Sequence, residues 1–145
     1  MHGEMIQAIL LPVLLIYIAV EDMRTREISP YLCIGLACLS LFDFHLENLL
    51  GLGIPLILWA CATWICPEQL GGGDIKLTAA VSVVIGFTAV VYGIIIAFTL
   101  ELISFLKMKK GLTEQEARNY SMPLAPFLAI GFIITYFMKI GGFII

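Results

Sequence analysis

Asp22, in Ala19-Val20-Glu21-Asp22-Met23-Arg24, and Asp74, in Gly71-Gly72-Gly73-Asp74-Ile75-Lys76, each sit at the edge of a long apolar run. An ionisable side chain is costly there unless it has a partner or a task. Two carboxylates brought into a partly desolvated site resist ionising together, so one of them keeps its proton. The ionised member of such a pair takes a proton from water while the protonated member polarises a carbonyl, which is hydrolysis without a covalent intermediate. The bare residues leave a second use open, because Asp74 is also well placed to cap the helix that follows it.

The neighbours of the two acids bear on that choice. Gly71, Gly72 and Gly73 permit unusual backbone dihedrals and close approach of another chain, giving an extended substrate strand access to Asp74. A Gly-rich turn before a helix also suits phosphate. Neither G-x-x-x-x-G-K-[ST] nor G-x-G-x-x-G is present, however, and Asp74 would repel a phosphate. Lys76 either holds a carboxylate charged, contacts substrate, or snorkels to the interface. Glu21 projects about 100° from Asp22 on a helix, which sets it aside as a third catalytic acid; with Glu27 and Glu68 it either attracts a basic segment or forms a solvated acidic rim. Glu101 lies inside an apolar run and is read as a supporting acid, with pairing to Lys107 as the alternative. Pro123 and Pro126 bracket a bend that either shapes a substrate groove or starts the last helix. Cys33, Cys38, Cys61 and Cys66 form two C-x4-C pairs, not metal spacing, so no metal site is expected and the thiols read as small hydrophobes.

The elements that must position these residues follow from composition. Of the 145 residues, 61% are hydrophobic and 13% charged, and the mean hydropathy is +1.02. A soluble domain of this size cannot bury so much apolar surface, so the expected solvent is a lipid bilayer. Continuous rather than alternating apolar runs select helices over a barrel. The expected fold is an all-α membrane bundle in one domain over 1–145, with about six spans at 5–21, 31–46, 49–66, 75–88, 89–106 and 123–143. The 75–106 stretch either turns near its middle, with Gly86, Thr88 and Gly93 as candidate markers, or forms one long tilted helix. The first run has no basic n-region and no small-x-small site, so it reads as a retained helix and not a signal peptide. Thr113 and Glu116 form a capping pattern for a short polar helix. No basic patch suggests nucleic acid.

Charge placement tests that layout. Seven of the eight Lys and Arg fall on one side of the six spans, and Lys139 alone falls on the other. The positive-inside rule then puts the N-terminus outside and both aspartates at the cytoplasmic face.

Gly71-Gly72-Gly73-Asp74-Ile75-Lys76-Leu77 resembles the G-x-G-D-x-K-L segment of the type IV prepilin peptidase family of intramembrane aspartic proteases. Asp22-Met23-Arg24-Thr25-Arg26-Glu27-Ile28-Ser29-Pro30 resembles that family's first-aspartate segment, with Ser29-Pro30 where the family has Pro-Asn. Met122-Pro123-Leu124-Ala125-Pro126-Phe127-Leu128-Ala129-Ile130-Gly131 resembles its late P-x-x-P-x-L-A-x-G segment. The resemblance implies a cytoplasmic-membrane endopeptidase that removes the leader from prepilin or pseudopilin precursors, with Asp22 and Asp74 as catalytic pair and no cofactor. It is closest to the short form lacking the paired C-x-x-C domain, so N-methylation is not expected. A small transporter using the carboxylates as a proton or cation relay is the competing class. It would more often show repeated halves or broken helices, and this sequence shows no convincing repeat.

Overall fold

The computed structural model describes residues 2–42, 45–64, 71–111 and 122–143. In chain order it contains α1 (His2–Thr25), α2 (Pro30–Cys38) with a 3₁₀ turn (Leu39–Phe42), and a second 3₁₀ segment (Leu46–Leu52) running into α3 (Gly53–Trp64). Then come α4 (Gly72–Ile85), α5 (Phe87–Lys109) and α6 (Ala125–Ile140). No strand occurs among the described residues, and the fold is an all-α membrane bundle.

Six apolar helical segments occur among the described residues, but they are unequal. Gly3–Thr25, Leu46–Trp64 and Phe87–Lys109 are long and apolar enough to cross a membrane, whereas Pro30–Phe42 and Ala125–Ile140 are shorter. Each of the six expected spans has a helical counterpart among the described residues, and the shorter ones fall below the length of a full crossing. The 14 residues of α4 rise only about 21 Å at 1.5 Å each, against about 30 Å of hydrocarbon. The division of 75–106 is settled as two helices, broken at Gly86 rather than at the expected 88/89. Gly86 has φ +84, a conformation that costs a side-chain-bearing residue. The polar helix expected at Thr113–Glu116, and Cys66, Glu68 and Arg118, lie outside the described residues.

A short helix ending inside the bundle leaves carbonyls that need donors. Two long-range contacts supply them to α4. The Asn48 side-chain amide donates to the Val84 carbonyl at 3.1 Å, and the Lys139 ammonium donates to the Ile85 carbonyl at 3.0 Å. A cation at this C-terminal end also favours the helix dipole. Lys139, the one exception to the charge bias, thus has a structural task.

Gln7, Leu11, Leu15, Ile18 and Asp22 recur every three or four residues on α1 and are all buried, so Asp22 continues the inward face. Leu77, Val81 and Ile85 of α4 are likewise buried, and α4 packs against α2, α3 and the second 3₁₀ segment. The most extensive packing joins α5 to α6. It depends on two glycines: a methyl on Gly93 would lie 2.5 Å from Phe132 Cδ1, and one on Gly131 would collide with the Gly93 carbonyl oxygen. Backbones approach this closely only without side chains between them.

Candidate active site

Helix α1 ends just beyond Asp22. The Arg26 N–H donates to the Asp22 carbonyl at 2.9 Å, and Arg26 itself takes the left-handed conformation with φ 55. That terminates the helix and turns Glu27 and Ile28 back toward the bundle. Helix α4 starts with Gly71 as its N-cap, so Asp74 sits at its third position. The Asp74 and Ile75 N–H groups close the first turn onto the Gly71 carbonyl at 3.1 and 3.4 Å. The Thr78 hydroxyl donates to the Asp74 carbonyl at 2.8 Å.

These two helix ends meet in one cavity of about 280 Å³, lined by Asp22, Arg26, Glu27, Ile28, Gly71, Gly72, Gly73, Asp74 and Lys76. The structure thus brings together both expected acids, all three glycines and Lys76. Cavities of about 470 and 510 Å³ lie elsewhere, but neither holds two carboxylates. Chemistry, not volume, picks the site.

The environment of the acids bears on the capping alternative. Asp22 Oδ2 and Asp74 Oδ1 are buried and have no hydrogen-bond partner among the described residues. A carboxylate that served mainly as a cap would be engaged by the backbone N–H groups of the first turn. Asp74 lies in the first turn of α4, ahead of its apolar run and outside the three long spans. Burial, then the negative charges of Asp22 and Glu101, push its carboxyl up to about 7. Near neutral pH such a group is divided between acid and anion.

Asp22 has a neighbour that the sequence did not announce. The backbone N–H of Ala125, the first residue of α6, is directed at its carboxylate. The first N–H groups of a helix have no partner of their own and carry its positive pole. Pro126 follows within the first helical turn, where its missing N–H costs nothing. Pro123 and Pro126 line neither the aspartate cavity nor the one holding Glu101. They set where α6 begins, rather than forming a wall of the site.

Glu101 lies in a separate cavity of about 370 Å³ with Phe98, Leu102, Phe105 and Met122. It continues the inward stripe Val90, Gly93 and Ala97 of α5 and acts on Asp74 through charge, not as a wall of the same cavity. Glu21 departs from expectation: its Oε2 is buried and has no hydrogen-bond partner among the described residues, so it is not wholly a solvated rim residue. Arg26 and Ile28 were not singled out for the site. Their signal was present in the spacing from Asp22, but only the chain reversal at Arg26 turns it into proximity. Among the described residues no group of three His, Cys, Asp or Glu is arranged to hold a metal ion.

Fold and site together define an all-α membrane protein with two carboxylates in a glycine-bordered cavity at one end of the bundle. The chain belongs to the type IV leader peptidase family, whose model matches residues 9–106. That interval contains Asp22, the three glycines, Asp74 and Glu101, while Pro123 and Pro126 fall beyond it. Searches of curated proteins and of solved structures returned no significant match.

Proposed function

We propose that this chain is a single-domain aspartic endopeptidase that removes the leader from prepilin-like precursors, with Asp22 and Asp74 as its catalytic pair. The observation that carries the reading is the shared cavity, where each acid presents a buried carboxylate oxygen without a hydrogen-bond partner among the described residues. Membership of a leader peptidase family supports the substrate class.

In this reading Asp74, pushed up by burial and by the charges of Asp22 and Glu101, is the protonated member, and Asp22 is the ionised one. Asp22 removes a proton from a water molecule, whose oxygen bonds to the scissile carbonyl carbon as Asp74 gives its proton to the carbonyl oxygen. The neutral tetrahedral adduct collapses: a hydroxyl proton returns to Asp74, the proton on Asp22 passes to the amide nitrogen, and the C–N bond breaks. Both carboxyls regain their starting states. Gly72 borders the cavity, and a methyl group there would meet nothing within 4 Å, leaving an open edge for an extended substrate backbone. Glu27 on the rim supplies negative charge toward a basic leader. The cavity faces the cytoplasm and the N-terminus lies outside, in keeping with the placement of Lys and Arg.

The test is reconstitution in proteoliposomes with a prepilin carrying a basic leader and its apolar helix. The wild type is expected to cut once at the leader boundary, and Asp22→Asn and Asp74→Asn each to lose at least about 100-fold in rate. Cleavage by either variant at the wild-type rate, or carboxylate-dependent ion flux without cleavage, overturns the proposal.

A further inference from the structure

The three consecutive glycines are not equivalent. A methyl group on Gly72 would meet nothing within 4 Å. One on Gly71 would lie 3.0 Å from Asp74 Oδ2. One on Gly73 would lie 3.2 Å from Ile28 Cβ and 3.3 Å from both Cγ1 and Cδ1 of the same side chain. Gly73 therefore serves as the seat of Ile28, which comes six residues after Asp22.

That contact matters because the two acid-bearing helices touch each other little directly and are joined mainly through α2 and α6. Helices α1 and α4 do not pack extensively on one another; α1 packs on α6, and α4 on α2 and α3. The backbone hydrogen bonds around Asp22 run from Arg26 N–H to the Asp22 carbonyl and from the Thr25 hydroxyl to the Glu21 carbonyl, and the Ala125 N–H that faces its carboxylate comes from α6, not α4. Those around Asp74 stay between Gly71 and Thr78. A β-branched side chain, stiff at χ1, is suited to transmit position across such a joint.

We infer that Ile28 is a positioning residue, whose side chain seated on the Cα of Gly73 sets the approach of Asp22 to Asp74. The inference rests on the peptidase reading above. It predicts a specific compensation between positions 28 and 73.

Two experiments test it. In the cleavage assay, Gly73→Ala is expected to lose at least about tenfold in kcat, since small misplacements of reacting groups are costly. Ile28→Ala is expected to lower kcat about tenfold with KM held within about twofold, and Ile28→Val, which keeps the branch, to restore most of the loss. The double variant Gly73→Ala/Ile28→Ala, with two of the three close contacts removed, should cut at least about threefold faster than Gly73→Ala alone. A double variant no better than Gly73→Ala overturns the inference.

The second experiment does not use activity. With the four native cysteines replaced by Ala, Ile28→Cys combined with Gly73→Cys should form an intramolecular disulfide on mild oxidation, because the Cβ separation is near the bonding range of about 3.5–4.5 Å. Ile28→Cys with Gly72→Cys should not. Failure of the first pair overturns this inference and leaves the peptidase reading standing. A link that forms while the wild-type protein fails to cleave prepilin removes the peptidase reading and, with it, the catalytic meaning of the joint.

Discussion

Asp74 carries the heavier electrostatic load of the two acids, since burial and two neighbouring negative charges act on it together. Its carboxyl moves from 3.8 to about 7 on folding. Between those values the native state holds the proton more tightly than the unfolded chain, so the contribution of this residue to stability falls as pH rises and levels off above about 7. Asp74→Asn removes the dependence. The melting temperature of that variant in detergent should exceed the wild-type value at about pH 8 and converge with it toward about pH 4. A wild type that gains stability relative to the variant as pH rises through this window contradicts the placement of Asp74. The residue types and the glycines before Asp74 were legible in the sequence. The Ala125 N–H at Asp22 and the seating of Ile28 on Gly73 were not, because both are contacts across elements that no local spacing encodes.

Among the elements, α4 is the one whose ends matter most, with Asp74 in its first turn and Lys139 and Asn48 tied to its last carbonyls. Lys139→Met removes the donor to the Ile85 carbonyl and is expected to cost about 1–3 kcal/mol, the usual penalty for a buried polar group left unpaired. The check is a lowered melting temperature, with cleavage at low temperature close to wild type because the residue is remote from the aspartate cavity. A variant as stable as wild type contradicts the capping role. The break at Gly86 was within reach of the sequence, since glycine tolerates positive φ and Gly86 stood among the candidate markers. The inward face of α1 was hidden for a different reason. Ile9, Val13, Ile16 and Val20 on its outward face are exposed in the bundle and as apolar as the buried stripe, so hydrophobic contrast does not separate the two faces. Only Gln7 and Asp22, the polar ends of the buried stripe, mark it.

For the whole molecule, the composition was decisive about solvent and helix class, while the lengths of individual spans were not readable from apolar runs alone. Short helices such as α4 depend on partners elsewhere in the chain to satisfy their ends. The proposed orientation is open to labelling in a cysteine-free background: Glu47→Cys should react with a membrane-impermeant thiol reagent in intact cells, and Lys109→Cys only after permeabilisation. The reverse pattern would place the cavity outside. The central claim is that two acids on helices far apart in sequence work as one unit. Its most direct measurement is kcat/KM for prepilin cleavage by Asp22→Asn, Asp74→Asn and the double variant. Groups acting as a unit are strongly non-additive, so each single change should cost at least about 100-fold and the double change no more than about tenfold beyond either. Single variants that retain activity within about tenfold of wild type, or losses that simply multiply in the double variant, would contradict it.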